Sequence, residues 1–202
     1  MHSLVPITAS ADSNQFDYPK SGYYRKTTID SIEYWMTTAY FLDPNQICSK
    51  GRTDQEFKSE GTIRKLIFQI GPLVSDLYEA PLSEELAMKE RGLIRFKCFP
   101  NMGYHYGRIS ADTNSEDCDK YTLGYLIYHH GILHAFSWAH VLKTSASDFN
   151  FSPWEFINEA IFRAVITDDP PKCYIGQDGL LVSPGIVSQH IYLRDWKQIN
   201  CQ

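Results

Sequence analysis

The sequence contains no long apolar run and no concentration of positive charge. Its longest mainly apolar runs, Leu66 to Ile70 and Tyr121 to Tyr128, are much shorter than the roughly 20 residues that a membrane-spanning helix requires. The net charge is −5, and Lys and Arg form no cluster of the kind that displaces counterions from nucleic acid. Residues 1–10 also lack the basic start and apolar stretch of a secretory signal. We therefore expect a cytoplasmic protein that binds neither nucleic acid nor a membrane.

The motifs of the common enzyme classes are absent as well. The chain has no Gly-x-Ser-x-Gly elbow, no phosphate-binding loop and no dinucleotide fingerprint. Its cysteines are odd in number and irregularly spaced, which fits neither a disulfide framework nor a zinc ribbon, and we expect reduced thiols. They are Cys48, Cys98, Cys118, Cys173 and Cys201. The sequence thus predicts no catalytic residue, and the chain is not expected to be catalytic alone.

Four histidines lie close together in the sequence. His129, His130, His134 and His140 fall within twelve residues. The second and third of them are four residues apart, as two zinc ligands on a helix are. However, Gly131 stands where a zinc protease has its catalytic Glu. Without that carboxylate we expect polar residues on a half-buried face, and we predict no metal ligand and no cofactor on this chain.

What the sequence does contain is typical of one globular domain. Of its 202 residues, 43% are hydrophobic and 14% are aromatic, which is enough apolar surface for a core in a chain of this length. The pattern predicts a single α+β domain, residues 1–202, with a helical N-terminal half, a small antiparallel sheet and one well-capped helix near the C-terminus. In this division residues 1–24 are an extended arm, residues 25–92 are mainly helical, and residues 93–202 hold hairpins and a helix over 152–167.

Three segments of the N-terminal half have the spacing of amphipathic helices. Residues 30–42 begin with a capping-box pattern, Asp30-Ser-Ile-Glu33, and carry apolar residues three and four apart. Residues 62–70 repeat that spacing. Residues 83–91 end at Gly92, a residue type that accepts the left-handed conformation at a helix end. Each of these segments is predicted to be a helix.

The second half changes to the alternation that is typical of strands. Residues 93–109 predict a hairpin, and residues 173–182 predict another. Around His129-His130-Gly131 we prefer a hairpin turn, although residues 126–137 also fit one face of a helix. Ser152-Pro-Trp-Glu155 combines a preferred cap, Pro at the first helical position and an early Glu, and it predicts the start of a helix.

The last predicted strand supplies the candidate peptide-binding residues. Pro184 follows this strand and cannot donate to a β-ladder, so the strand is suited to a sheet edge. An extended peptide can pair with such an edge through its main-chain groups. We therefore predict peptide binding at Leu180, Leu181 and Val182.

The tail after residue 184 is the candidate interface with a larger protein partner. Large side chains with few rotatable bonds are common anchors of such interfaces. The tail carries three of them, His190, Tyr192 and Trp196. These three residues are the predicted partner interface.

Three stretches of the chain resemble a known protein family. They are residues 18–35 (YPKSGYYRKTTIDSIEYW), residues 151–160 (FSPWEFINEA) and residues 180–196 (LLVSPGIVSQHIYLRDW), and together they cover about a quarter of the chain. Their aromatic and Pro-Gly landmarks are similar to those of the MbnC family, the C component of methanobactin biosynthesis.

This resemblance implies a role that the residues alone do not give. A protein of that family is the partner, in a heterodimer, of a separate iron-containing oxidase subunit, MbnB. The complex converts cysteines of a ribosomally made precursor peptide, MbnA, to the oxazolone and thioamide groups of a copper chelator. By this resemblance the chain is a non-catalytic subunit that binds the leader of the precursor and supports the oxidase, with the iron on the partner.

A function of a different class remains open, a small stand-alone hydrolase or transferase. It would use Cys98 with one of His129 to His134, because a cysteine nucleophile needs a nearby His and an electropositive setting. Arg95 and Lys97 flank Cys98, but strand alternation points Cys98 away from both of them. The partner-subunit hypothesis is therefore the leading one.

Overall fold

The computed structural model describes residues 1–7, 18–19, 22–47, 49–61, 63–107, 124–142, 154–165 and 185–201. Within them the protein is mostly β, with two antiparallel sheets and a few short helices. The strands are β1 (His2–Pro6), β2 (Arg25–Ile29), β3 (Ile32–Tyr40), β4 (Leu66–Gln69), β5 (Leu77–Ala80), β6 (Ile94–Phe99), β7 (Gly103–Gly107), β8 (Gly124–His129), β9 (Ile132–Leu142), β10 (Trp154–Ile157) and β11 (Gly185–Tyr192). The helices are α1 (Pro44–Ile47), α2 (Asp54–Glu60), α3 (Glu84–Arg91) and α4 (Glu159–Val165), with a 3-10 turn at Trp196–Gln198. In the part of the chain that the structure describes, no helix is both long enough and apolar enough to cross a membrane.

The predicted α+β fold with a helical N-terminal half is wrong. Residues 25–92 hold four strands, β2 to β5, and their described helices are short. Residues 30–42 begin with the tight turn between β2 and β3, where Asp30 and Ser31 have φ of 48° and 65°. Two consecutive residues of positive φ suit a turn between twisted strands and cannot belong to a right-handed helix. The aromatic and β-branched residues that follow then favour a strand.

Residues 62–70, also predicted to be helical, contain strand β4. This strand pairs with β3 and β5, and its residues Leu66, Ile67 and Gln69 are buried. A short apolar run fits a strand covered on both faces as well as it fits a helix, so the pattern alone does not decide. The helix predicted over residues 83–91 is confirmed as α3, and it ends at Gly92, whose φ is 60°.

The five-stranded sheet is built around β3. Its order is β1-β3-β4-β5, and β2 also pairs with β3. Because β1 and β2 pair with overlapping parts of β3, they lie on its opposite edges. Residues 2–6, which belong to the predicted extended arm, form β1 and pair with β3. The Met1 amino group donates a hydrogen bond to the Ala39 carbonyl at 2.8 Å.

The six-stranded sheet has the order β10-β11-β9-β8-β7-β6. Its β6–β7 hairpin confirms the hairpin predicted over residues 93–109. Its β8–β9 hairpin turns at His130 and Gly131, with φ of 50° and 78°, and this excludes the helix alternative for residues 126–137. Strand β11 lies between β9 and β10, two strands that precede it in the sequence.

The helix predicted over residues 152–167 is shorter than expected. Trp154–Ile157 forms β10, which pairs with β11, and α4 begins only at Glu159. Its cap is Asn158, whose side-chain oxygen accepts a hydrogen bond from the Ile161 amide at 2.9 Å, as a capping side chain does. The predicted cap, Ser152, and the hairpin predicted over residues 173–182 lie outside the described residues.

The two sheets pack face to face around an aromatic core. Successive residues of a strand point to opposite faces, and on β9 Phe136 and Trp138 face the five-stranded sheet, where they join a buried cluster with Ala39. Tyr106 and Tyr128 of neighbouring strands belong to the same cluster, with ring centroids 5.1 Å apart. The opposite face of the six-stranded sheet, which we call the outer face, is partly covered by α4 and by the C-terminal residues.

A buried hydrogen-bond network at His140 joins the two sheets. Its Nδ1 lies 2.7 Å from the Tyr24 hydroxyl, and its Nε2 lies 3.0 Å from Oγ of Ser3 in β1. Burial lowers the pKa of His140 to about 3, so the ring is neutral near pH 7. A neutral imidazole has one donor and one acceptor, and two hydroxyls can serve both.

A disulfide joins Cys98 of β6 to Cys201, with Cα atoms 5.7 Å apart. The expectation that the cysteines are reduced is therefore wrong for this pair. The two residues are 103 positions apart in the sequence, and spacing patterns identify only frameworks of closely repeated cysteines. The bond holds the C-terminal end of the described chain against the six-stranded sheet.

Candidate functional site

A cavity of about 220 Å³ lies on the outer face of the six-stranded sheet. Its floor consists of side chains that alternate along the strands with those of the aromatic core. Its apolar wall residues are Phe99, Met102, Phe156, Ile157 and Ile161. Its other lining residues are His105, Tyr125, Ser137, Glu155, Ser188 and His190. We call it the histidine cavity.

Two histidines from distant strands meet in the histidine cavity. β8 and β9 lie between the strands of His105 and His190, so the two backbones are about 14 Å apart at the usual strand spacing. The two side chains extend towards each other, and their Nε2 atoms lie 3.1 Å apart. The rings are nearly perpendicular, at 79°. Such a contact requires both side chains to project from the same face of the sheet.

Among the described residues, the carboxylate of Glu155 lies beside the buried histidine pair. Burial, and then the proximity of His190, lowers the pKa of His105 to about 3, against a smaller raising effect of the Gly103 backbone. Oε2 of Glu155 lies 3.2 Å from Nδ1 of His190, within ion-pair distance although not aligned as a hydrogen bond. A carboxylate at this place favours a proton on Nδ1, which leaves Nε2 of His190 as an acceptor.

Two buried hydroxyls near the histidines have no hydrogen-bond partner within the described residues. They belong to Ser137 and Ser188, each 1% exposed, and both residues line the histidine cavity. Ser137 is the cross-strand neighbour of His190. Because a buried hydroxyl without a partner costs about 1–3 kcal/mol, two of them in one cavity indicate positions that a bound molecule or water satisfies.

We expect Ser188→Ala to leave the free energy of unfolding unchanged, or to raise it by up to about 1 kcal/mol, because it removes an unsatisfied buried hydroxyl. Ser3→Ala is the matched control, since Ser3 is also a buried serine, at 2% exposure. It should lower the free energy of unfolding by about 1 kcal/mol or more, because Nε2 of His140 loses its partner. Urea denaturation measures both values. An equal loss in the two variants would show that the Ser188 hydroxyl is bonded in solution.

The structure separates the three predicted partner-interface residues. Trp196, at the start of the 3-10 turn, is 50% exposed. His190 lines the histidine cavity, and Tyr192 packs against a buried cluster on the outer face. The predicted peptide-binding segment, residues 180–182, lies outside the described residues.

The four clustered histidines also separate. His129, His130 and His134 lie together near the β8–β9 turn, and the first of them has its ring centroid 3.9 and 5.2 Å from those of the other two. His140 lies in the network between the sheets. Over the described ranges, no three His, Cys, Asp or Glu side chains are grouped so as to hold a metal ion.

The stand-alone hydrolase has no nucleophile at its expected place. Cys98 is bonded to Cys201, and a disulfide sulfur is not the thiolate that such chemistry needs. His190 and Glu155 resemble the histidine and the acidic residue of a serine catalytic triad. However, Nε2 of His190 faces His105 and not a serine. Neither Ser137 nor Ser188 forms a hydrogen bond within the described chain, so the arrangement is not that of an activated serine.

Sequence reasoning finds one member of this site, His190, and misses the others. Ser188 and His190 are two positions apart, so strand alternation places them on one face. The sequence alone therefore indicates that these two side chains lie on the same side of the sheet. His105 alternates with Tyr104 and Tyr106 in the same way. The contact between His105 and His190 depends on the order of the strands β7, β8, β9 and β11 in the sheet. No local sequence pattern specifies that order.

No known family, characterised protein or solved structure matches this chain. The histidine cavity is the best candidate for a binding site among the described residues. It combines apolar walls, buried polar groups without partners in the described chain, and a histidine whose pKa is strongly lowered.

Proposed function

We propose that this chain is a non-catalytic binding protein that takes a small uncharged aromatic group, free or carried by a peptide, into the histidine cavity. The observation that carries the proposal is the pair of buried hydroxyls, Ser137 and Ser188, which line the cavity and have no partner among the described residues. Apolar walls with a few convergent polar groups are the usual form of a small-molecule site.

The size and lining of the cavity limit its ligand. Its volume of about 220 Å³ is below the roughly 300 Å³ at which sites for drug-sized molecules begin, so one or two rings are the expected size. Phe99 and Phe156 suit an aromatic ring, which gains from edge and stacking contacts. Because His105 is buried and neutral near pH 7, an uncharged group that donates or accepts one hydrogen bond fits best.

Indole is a suitable probe, because it is aromatic and carries a single N–H donor. We expect saturable indole binding by calorimetry and expect Ser188→Ala to weaken it about three- to tenfold through loss of one hydrogen bond. Ile161→Trp, which fills the histidine cavity from its wall, should abolish binding. The control is Ile70→Trp, because Ile70 lines a separate cavity of about 130 Å³ between the two sheets.

Two results would overturn this proposal. One is binding that survives Ile161→Trp and is lost in Ile70→Trp, which would place the ligand between the sheets. The other is the absence of binding by indole and by phenol at millimolar concentration.

The role of partner subunit to an iron-containing oxidase is a second proposal. In it the chain binds the leader of MbnA and supports MbnB, and the iron resides on the partner rather than on this chain. The exposed Trp196 favours a protein partner, because Trp is one of the residue types enriched among interface hot spots. The histidine cavity would then receive one aromatic side chain of the peptide.

Co-expression with MbnB and MbnA, followed by size exclusion, tests this second proposal. We expect co-elution that Trp196→Ala abolishes. The control is Leu73→Ala, which removes an apolar side chain that is 62% exposed elsewhere on the surface. Elution of the chain alone, with this chain and MbnB folded and MbnA intact, would contradict the proposal.

The Cys98–Cys201 disulfide bears on the proposed cytoplasmic location. Disulfides persist mainly in oxidising compartments and are rare in a reducing cytoplasm. The cytoplasmic proposal therefore requires these two thiols to be reduced in the cell. Alkylation of thiols in intact cells before lysis tests this, and protection of both cysteines would contradict the location.

A further inference from the structure

We propose that the cavity between the two sheets is a second binding site, which takes a neutral, mostly apolar molecule about the size of one benzene ring with a single hydrogen-bonding group. We call it the intersheet cavity, and its volume is about 130 Å³. It lies on the opposite face of the six-stranded sheet from the histidine cavity. The proposal therefore goes beyond the proposed function, which places its ligand in the histidine cavity.

The walls of the intersheet cavity come from both sheets and are mainly aromatic. The aromatic lining residues are Tyr23, Tyr24, Phe68, Tyr78, Tyr106 and Trp138. The remaining described lining residues are Thr37, three aliphatic side chains and two glycines, so no described residue of the lining carries a charge. Because an isolated charge is costly to bury in such surroundings, the ligand is expected to be neutral.

A missing side chain on the core face of β8 leaves space for a ligand. Gly124 is the cross-strand partner of Trp138, and such partners project to the same face of a sheet. Trp138 packs in the core between the sheets, so a side chain at position 124 would project there as well. An apolar cavity of roughly 150 Å³ stays dry and binds benzene. The intersheet cavity, at about 130 Å³, therefore suits one ring of that size.

Thr37 supplies the polar group of the intersheet cavity. It is 4% exposed, and its hydroxyl has no hydrogen-bond partner within the described residues. Its cross-strand partner Ser3 contacts His140 of the six-stranded sheet, so Thr37 also projects between the sheets. A buried water molecule typically makes about three hydrogen bonds, whereas a ligand with one hydroxyl or carbonyl group needs only the Thr37 hydroxyl. A mostly apolar ligand with one such group therefore fits better than water.

Cyclohexanol and benzene are suitable probes, because they are similar in size and only cyclohexanol carries a hydroxyl. We expect saturable binding of both by NMR titration, with nuclear Overhauser contacts to the ring protons of Trp138. Thr37→Val keeps the shape of the side chain and removes its hydroxyl. It should weaken cyclohexanol binding about three- to tenfold and leave benzene binding unchanged or stronger. The control is Thr28→Val, which makes the same replacement at an exposed position of β2 and should bind both probes as the wild type does.

Ile70→Trp, which fills the intersheet cavity from its wall, should abolish the binding of both probes. Binding that survives this substitution and is lost in Ile161→Trp would place the probes in the histidine cavity and overturn the proposal. If Ile70→Trp fails to fold, as judged by circular dichroism, Thr37→Val decides. An equal effect of Thr37→Val on both probes would then overturn the proposal.

Two results with the wild type would also overturn it. One is the absence of binding by both probes at millimolar concentration. The other is tighter binding of tetramethylammonium than of neopentyl alcohol, its neutral counterpart of similar shape, because aromatic walls can also attract a cation. The indole titration reports on the histidine cavity, so either proposal can fail without the other.

Discussion

Cys201→Ser is expected to lower the free energy of unfolding by about 4 kcal/mol, the largest effect among the substitutions considered. The bond to Cys98 closes a loop of 103 residues, and a cross-link across about 100 residues removes roughly 4–5 kcal/mol of chain entropy from the unfolded state. Loss of the bond also frees the C-terminal segment, whose Ile199 is buried against Ile127 and Ala135. Guanidinium denaturation of the oxidised proteins measures the loss.

Dithiothreitol provides the control for this prediction. The reductant should lower the denaturation midpoint of the wild type to that of Cys201→Ser, and it should leave the variant unchanged. A variant as stable as the oxidised wild type would mean that Cys98 and Cys201 are not bonded in solution.

Lowering the pH from 7 to 5 is expected to cost about 2 kcal/mol of stability through His140 alone. Its pKa is about 3 in the folded protein, because the ring is buried, and about 6.5 in an unfolded chain. The unfolded state therefore takes up a proton in this range and the native state does not, so stability is full above pH 6.5 and falls steadily towards pH 3. The ring nitrogens contact the hydroxyls of Tyr24 and Ser3, which can pair with the neutral ring.

Urea denaturation of the wild type and of His140→Gln at pH 7, 6 and 5 isolates this contribution. The wild type should lose about 2 kcal/mol more than the variant between the two end points. NMR titration of the His140 ring gives an independent readout if the variant folds poorly. A ring that titrates near pH 6.5 in the folded protein would contradict the prediction.

Local patterns predicted the elements that depend on neighbouring residues. The hairpin over residues 93–109 and the turn at His130-Gly131 follow from alternation and from the turn itself, and α3 follows from its Gly92 end. The failure at residues 30–42 has a physical cause. An Asp-Ser pair followed by an acidic residue fits a helix cap, and the same Asp and Ser also accept positive φ in a hairpin turn. The strand partners that favour the hairpin, β1 and β4, lie far away in the sequence.

For the candidate site, too, local sequence patterns do not identify contacts between strands that are far apart in the sequence. Period-two alternation can place His105 on one face of its strand and Ser188 with His190 on one face of theirs. It cannot show that β8 and β9 separate these strands or that the rings reach across them. The sequence pattern predicts that Glu155 belongs to a helix. Only its place in β10, next to β11, brings its carboxylate to His190.

The position of β11 has a consequence for how the protein is made on the ribosome. β9 and β10 emerge before residues 185–192, and in each of them the edge that β11 occupies in the finished sheet is open until then. A chain that stalls or is truncated before residue 185 therefore displays two open strand edges, each a template for pairing with another chain. We expect such nonsense truncations to yield aggregates rather than a smaller soluble protein.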